Sequence, residues 1–290
     1  APLVATVNPT NPTTHPNIAV QMPPREIYLK QWPMFRGPDG SAIAPEGSYP
    51  TDWDGKAGKN IVWKTKIPLP GYNSPVVWKN HIFLSGATNS QRIVYCIDAA
   101  SGKIRWQEPV PIRPGSTPPE VLEETGLAPA TLATDGLRVY AMFPDGDVAA
   151  YDFAGKRVWM RSLGPLENQY GHAASLLTVG DRLIVQLDQG ASKKDTKSAL
   201  LALDGATGKT AWRTPRPVPN SWTSPILADT PSGPQIITAA NPYVIAYDPA
   251  DGREIWRATW RPRRPTRREW SLPARPTRTW PPSGPTARAM

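Results

Sequence analysis

Short apolar runs separated by clusters of Gly, Asp, Asn and Pro mark the chain from about residue 60 to residue 258. Runs of this kind, bounded by turn residues, read as strands. The first group predicts strands near 75–78, 81–85, 92–97 and 103–107, with Lys79-Asn80 as its first turn. In the second, Thr134-Asp135-Gly136 and Pro144-Asp145-Gly146 separate 130–133, 137–143 and 147–151. Val179-Gly180-Asp181 divides 175–178 from 182–187 in the third, and the fourth predicts strands near 225–228, 235–239, 243–247 and 253–258. The longest connection, 108–126, is rich in proline. Its Thr117-Pro118-Pro119-Glu120 has the order of an N-cap, a first-turn proline and a third-position acid, predicting a short helix over 118–125. Residues 1–31, rich in Pro, Thr and Asn, read as an extended or disordered arm.

The four groups are copies of one another. They end in Asp98 to Gly102 to Trp106, Asp152 to Gly155 to Trp159, Asp204 to Gly208 to Trp212, and Asp248 to Gly252 to Trp256. Each Gly is followed by Lys or Arg, and each Trp falls four residues after its Gly. Trp63 ends a partial earlier copy, and successive tryptophans then lie 43, 53, 53 and 44 residues apart. A period of this length with several strands per unit predicts β-propeller blades rather than a helical solenoid. The expected fold is therefore all-β: about four blades of four antiparallel strands over 32–256, in a closed small ring or as part of a larger one.

Physical chemistry accounts for the recurring residue types. The hairpin between third and fourth strands needs a residue that tolerates positive φ, which Gly supplies. The Asp carboxylate can accept amide hydrogen bonds within the turn. A tryptophan in the outer strand can lie between adjacent blades, where a buried indole covers roughly 150–250 Å². That area corresponds to on the order of 4–6 kcal/mol as an upper bound. These motifs are fully explained by stability and carry no catalytic assignment.

The pattern Ala-x-Asp-x-x-x-Gly-Lys-x-x-Trp resembles the tryptophan-docking motif of pyrroloquinoline-quinone (PQQ) type propeller repeats, and the resemblance covers about 32–256. The segment Trp32-Pro33-Met34-Phe35-Arg36-Gly37-Pro38 resembles the start of secreted bacterial proteins with this repeat. The resemblance implies a ring of six to eight four-stranded blades in an exported, periplasmic or secreted protein. It also implies one of three activities: oxidation of alcohols or sugars with PQQ and calcium, partner binding as in the BamB subunit of the outer-membrane assembly machinery, or a propeller module without a cofactor. The dehydrogenases commonly carry a vicinal disulfide against PQQ, which a chain with Cys96 as its one cysteine cannot form. No Glu/Asn/Asp set matches their calcium ligands. The favoured reading is a binding or scaffolding module; a fragment of a PQQ- and calcium-dependent dehydrogenase is the first alternative.

Composition refines this picture in two places. Thirty-six prolines argue against long helices, and no apolar stretch is long enough for a membrane-spanning helix. The net charge of +9 is uneven: residues 257–290 hold nine Arg and one acid, leaving the rest nearly neutral. A nearly neutral body argues against nucleic-acid binding except through the tail. That tail also holds seven Pro and three Trp where a fifth blade should start. Three readings stand: an arm for anionic surfaces, a disordered end, or an out-of-frame translation of a lost continuation. No leader sequence is legible at Ala1.

Candidate chemistry gathers in the connections from one blade's outer strand to the next blade's inner strand, which the resemblance places around one channel mouth. They hold Tyr72, Asn73 and Ser74; Asn168, Gln169, Tyr170 and His172; and Asn220, Ser221, Trp222 and Thr223. Aromatic, amide and hydroxyl groups converging on a funnel make a site for a protein partner or small ligand, against the plain alternative of a solvated rim. His172 is the candidate for proton transfer, titrating near neutral pH. Cys96 reads as a buried small hydrophobe. Residues 188–195 read as a polar loop rather than a metal site, and no metal ligands are assigned.

Overall fold

A computed structural model of the chain describes residues 22–44, 46–114, 116 and 119–259. The predicted disorder of 1–21 and all readings of the tail from 260 onward lie outside the described residues.

Four antiparallel four-stranded sheets form, each from consecutive strands, so every blade is a local meander. Blade 1 holds β1 (Val76–Trp78), β2 (His81–Ala87), β3 (Arg92–Asp98) and β4 (Ile104–Pro109). Blade 2 holds β5 (Ala133–Thr134), β6 (Arg138–Met142), β7 (Asp147–Asp152) and β8 (Arg157–Ser162). Blade 3 holds β9 (Leu177–Val179), β10 (Arg182–Leu187), β11 (Ala199–Asp204) and β12 (Thr210–Pro215). Blade 4 holds β13 (Ile226–Thr230), β14 (Gly233–Ala240), β15 (Tyr243–Tyr247) and β16 (Glu254–Thr259). The first strands neighbour one another in the order β1, β5, β9, β13, which makes them the inner strands of a radial array. The arrangement is an incomplete propeller of four blades.

Period-two alternation decides which side chain meets which blade. Val139, Ala141, Ala149 and Tyr151 face blade 1 and pack with Phe83, Val94 and Cys96. Their alternates Tyr140, Met142, Val148 and Ala150 face blade 3 and pack with Leu183 and Val185. Both faces of an inner blade are therefore covered, which is why its strands read as nearly continuous apolar runs. Cys96 lies fully buried within this packing, and burial pushes its thiol up to about 12.

The hairpin glycines meet two constraints together. Gly102, Gly155, Gly208 and Gly252 have φ of 70°, 92°, 69° and 74°. A Cβ there would also stand 2.5 Å from the Trp63 ring, 2.9 Å from Trp106, 2.6 Å from Trp159 and 2.4 Å from Trp212, respectively. Each of these indoles comes from the preceding repeat, and its Nε1 donates to the carbonyl of Ala99, Phe153, Gly205 or Pro249, the residue after the turn aspartate. The aspartates cap their turns: Asp98 accepts from the Ala100 and Ser101 amides, and Asp204 from Ala206 and Thr207. Arg105, followed by Ser101, holds the Asp98 carboxyl well below the usual carboxylate range. Trp256 departs from the series, donating instead to Gln235 Oε1 of its own blade.

Two expectations fail locally. Among the described residues of 118–125 there is no helix, only a turn in which the Thr125 and Gly126 amides donate to the Leu122 carbonyl. A segment of that length gains too few backbone bonds to offset nucleation unless tertiary packing supports it. The arm, in turn, is not wholly extended: Arg25–Leu29 form a helix, α1. The Tyr28 hydroxyl pairs with that of Thr178 at 2.9 Å, and its ring lies 5.9 Å from Trp78. Burial pushes the Tyr28 phenol up to about 12.

After α1 the chain runs along the inner strands. Trp32 and Val77 exchange backbone hydrogen bonds at 3.0 and 2.7 Å, the Thr134 amide donates to Pro33, and Met34 is buried in the core. Farther on, Gly40 packs against Ile226 of β13.

Candidate functional site

The connections into β1, β5, β9 and β13 all end at the same mouth, because each inner strand starts there. Between them lies an open cavity of about 470 Å³. It is lined by Tyr72 before β1, Pro129 and Thr131 before β5, Ala173 and Ser175 before β9, and Trp222, Thr223 and Ser224 before β13. Phe35 and Arg36 of the axial segment and Ile226 complete it. Arg36 is the one charged side chain in this lining, and it forms no ion pair among the described residues. Its φ of 64° is unusual for a residue with a side chain.

A hydrogen-bonded ladder joins the four connections. The Ser74 amide donates to Thr131 Oγ1 at 3.0 Å, the Thr131 amide to Ser175 Oγ at 3.2 Å, and the Ser175 amide to Ser224 Oγ at 2.9 Å. One repeat position thus carries a hydroxyl in every blade, and those of Thr131, Ser175 and Ser224 each accept the amide of the preceding connection.

The residues singled out from the sequence divide between lining and support. Tyr72 and Trp222 stand at the cavity, 60% and 39% exposed. The Tyr170 ring lies 5.1 Å from Trp222, whose Nε1 donates to Asn168 Oδ1. Asn73 is committed to structure: its Nδ2 donates to the Ser85 and Ala128 carbonyls, and its Oδ1 accepts from the Ser85 amide. Asn220 is held through its backbone amide to Gly190 and does not line the cavity.

His172 corrects the expectation placed on it. It is 2% exposed, and burial drives its imidazole down to about 4, against a smaller opposing effect of a backbone hydrogen bond at Ala174. Neutral-pH proton transfer from the mouth is not available to it. Asp188 opens the polar loop between β10 and β11 and is buried, accepting from Arg216 Nε at 2.7 Å, Ser221 Oγ at 2.6 Å and Gln186 Nε2 at 2.8 Å. Arg216 reaches on to Tyr247, so this pair ties blade 3 to blade 4. A matching cluster ties blade 1 to blade 2, where Arg92 meets Asp145 and Asp147, and Arg113 meets Asp147 at 2.8 Å. Burial pushes the Asp145 carboxyl up, and the neighbouring Asp147 adds to the shift against the opposing Arg92.

Sequence reasoning missed Phe35, Arg36, Thr131, Ser175 and Ser224. The hydroxyls had a signal, since Ser74, Thr131, Ser175 and Ser224 occupy the same place ahead of each inner strand.

Calcium takes six to eight oxygen ligands, typically with several carboxylates. The cavity lining offers no carboxylate, and among the described residues no group of three or more His, Cys, Asp or Glu is placed to hold a metal. The buried thiol of Cys96 cannot cover a cofactor at the mouth. The lining does not fit PQQ and calcium.

Blades of four antiparallel strands, an axial array of inner strands and indoles set against hairpin glycines define a PQQ-type β-propeller repeat protein. The chain belongs to the family described as outer membrane protein assembly factor BamB, which it matches over residues 51–186 and 164–279. No curated protein matches it. Among solved structures, a europium-containing methanol dehydrogenase is 16% identical, covering 79% of this chain and 49% of its own, at a TM-score of 0.53. BamB from Moraxella catarrhalis is 18% identical, covering 67% of this chain and 53% of its own, at a TM-score of 0.47. A quinohemoprotein alcohol dehydrogenase from Comamonas testosteroni is 18% identical, covering 66% and 35%, at 0.47. The chain spans no more than about half the length of these proteins. At such identities the likeness is one of fold.

Proposed function

We propose that this propeller is a binding or scaffolding module of an exported protein, periplasmic or associated with the outer membrane, and that it works through the mouth lined by Tyr72, Trp222 and Arg36. The observation that carries this reading is the convergence of all four blade connections on one open, aromatic-rimmed cavity. Small-molecule sites usually bury most of their ligand. Protein interfaces concentrate their energy in Tyr, Trp and Arg, the residue types at this rim. The family membership supports a partner-binding role, and fold alone assigns no chemistry. No helix among the described residues is long and apolar enough to cross a membrane.

Site-specific photo-crosslinking in the native host tests the reading. A photoreactive residue at Trp222 should yield discrete adducts with a partner protein, and one at Val158, exposed on an outer strand, should not. Equal labelling from both positions would contradict a mouth-directed function. Dye reduction with alcohols or aldose sugars after adding PQQ and calcium would favour the dehydrogenase reading instead.

A further inference from the structure

The chemistry of the mouth narrows the partner further, on the assumption that the mouth is the binding surface. Thr131, Ser175 and Ser224 each accept a backbone amide through their oxygen. A hydroxyl has one hydrogen and two lone pairs, so accepting a bond leaves its O–H free to donate. None of these three hydroxyls donates to a protein acceptor among the described residues, and all three line the cavity. The backbone ladder fixes the oxygens and leaves the three O–H groups without a protein acceptor among the described residues, those of Thr131 and Ser175 largely buried at the base of the opening. Arg36 adds a guanidinium that forms no ion pair, and no Asp or Glu lines the cavity. Asp39, close in sequence, is engaged by the Ser41 amide at 3.0 Å. The site therefore presents hydroxyl donors and a positive charge with no carboxylate in its lining, which is the complement of a carboxylate.

The rim decides what carries that carboxylate. Phe35, Tyr72 and Trp222 stay between 38% and 60% exposed around the opening. A free small anion would leave these rings in water, whereas a peptide chain passing over the mouth covers them. We propose that the mouth docks an acidic peptide segment of a partner protein, one Asp or Glu side chain entering between Arg36 and the hydroxyls of Thr131, Ser175 and Ser224 while flanking residues pack on Trp222 and Tyr72.

The test is selection of a random heptapeptide library against the full chain, followed by affinity measurements on the recovered peptides. The expected result is an Asp or Glu at one recurring position, with its change to Asn or Gln weakening binding about tenfold, as loss of a charge-assisted bond does. Arg36→Gln should weaken the acidic peptides by a similar factor and leave their amide versions unchanged, and Arg36→Lys should retain most of the affinity. The exposed Arg36 side chain makes both variants suitable for a folding control by circular dichroism. Peptides without a recurring acid, peptides indifferent to Arg36→Gln, or no recovered peptide would each overturn the acidic-segment assignment. Peptides of the first two kinds that are still lost on Trp222→Ala leave the mouth as the binding surface; peptides indifferent to both variants remove that reading as well.

Discussion

A histidine can serve proton transfer near neutral pH only where its charged form is tolerated. His172 has the residue type and the chain position of a site residue, yet it is buried and its imidazole is depressed to about 4. The consequence is a pH dependence of stability. Between pH 6.5 and about 4 the unfolded chain takes up a proton at this ring that the folded chain does not, so folding weakens by about 3 kcal/mol as pH falls through that window. Urea unfolding of His172→Gln at pH 7 and at pH 4.5 should show a smaller loss than the wild type; parallel losses would show that the ring titrates normally. The same distinction explains which site residues were legible. Tyr72 and Trp222 could be placed because large aromatics in a connection into an inner strand have few places to go except the rim. Asn73 and His172 share that connection type, but their orientation depends on the carbonyls of Ser85 and Ala128 and on the local packing, which no local pattern encodes. Arg36 was out of reach because its position depends on a segment of one end of the chain lying along four strands that follow it.

The blade is the element in which sequence was most informative. Each is closed by one hairpin whose Asp, Gly and Trp have separate physical tasks, and the strands fall close to their predicted bounds because turn residues punctuate them. The exceptions are short helices. The capping signal at Thr117 to Glu120 did not produce one, whereas α1, with no such signal, is held by Tyr28 against Thr178 and Trp78. Tertiary contact outweighs local propensity at that length. The tryptophans allow the blade-to-blade contact to be measured. Trp159 lies over Gly208 of the next blade and donates to Gly205 there. Trp256 has the same motif position but bonds within its own blade. Trp159→Ala should therefore cost about 3–5 kcal/mol, and Trp256→Ala no more than about 2 kcal/mol. Urea midpoints for the two variants check this, and equal costs would mean that the contact with a neighbouring blade adds nothing to what the indole gains inside its own sheet.

At the scale of the molecule, an incomplete propeller behaves as a short linear array in which each unit is stabilised by the neighbours it touches. Blade 2 is enclosed by Trp63-capped blade 1 on one side and blade 3 on the other, with Arg92, Asp145 and Asp147 bridging the first contact. Blade 3 is enclosed by blades 2 and 4, and Arg216 with Asp188 bridges the second of these. Blade 4 has a single blade neighbour among the described residues. Among the described residues no further sheet covers its other face, where Trp256 bonds to Gln235 of the same blade. Opening this blade breaks one interface, whereas opening blade 2 or blade 3 breaks two. Local opening free energies should follow that difference, and amides in β14 and β15 should exchange at least about tenfold faster than those in β6, β7, β10 and β11. Hydrogen exchange followed by mass spectrometry resolves the blades, because their strands are contiguous in sequence. Uniform protection across all four would require that the free side of blade 4 be covered as effectively as the others, and would identify the outer face of β13 to β16 as already engaged in the isolated chain.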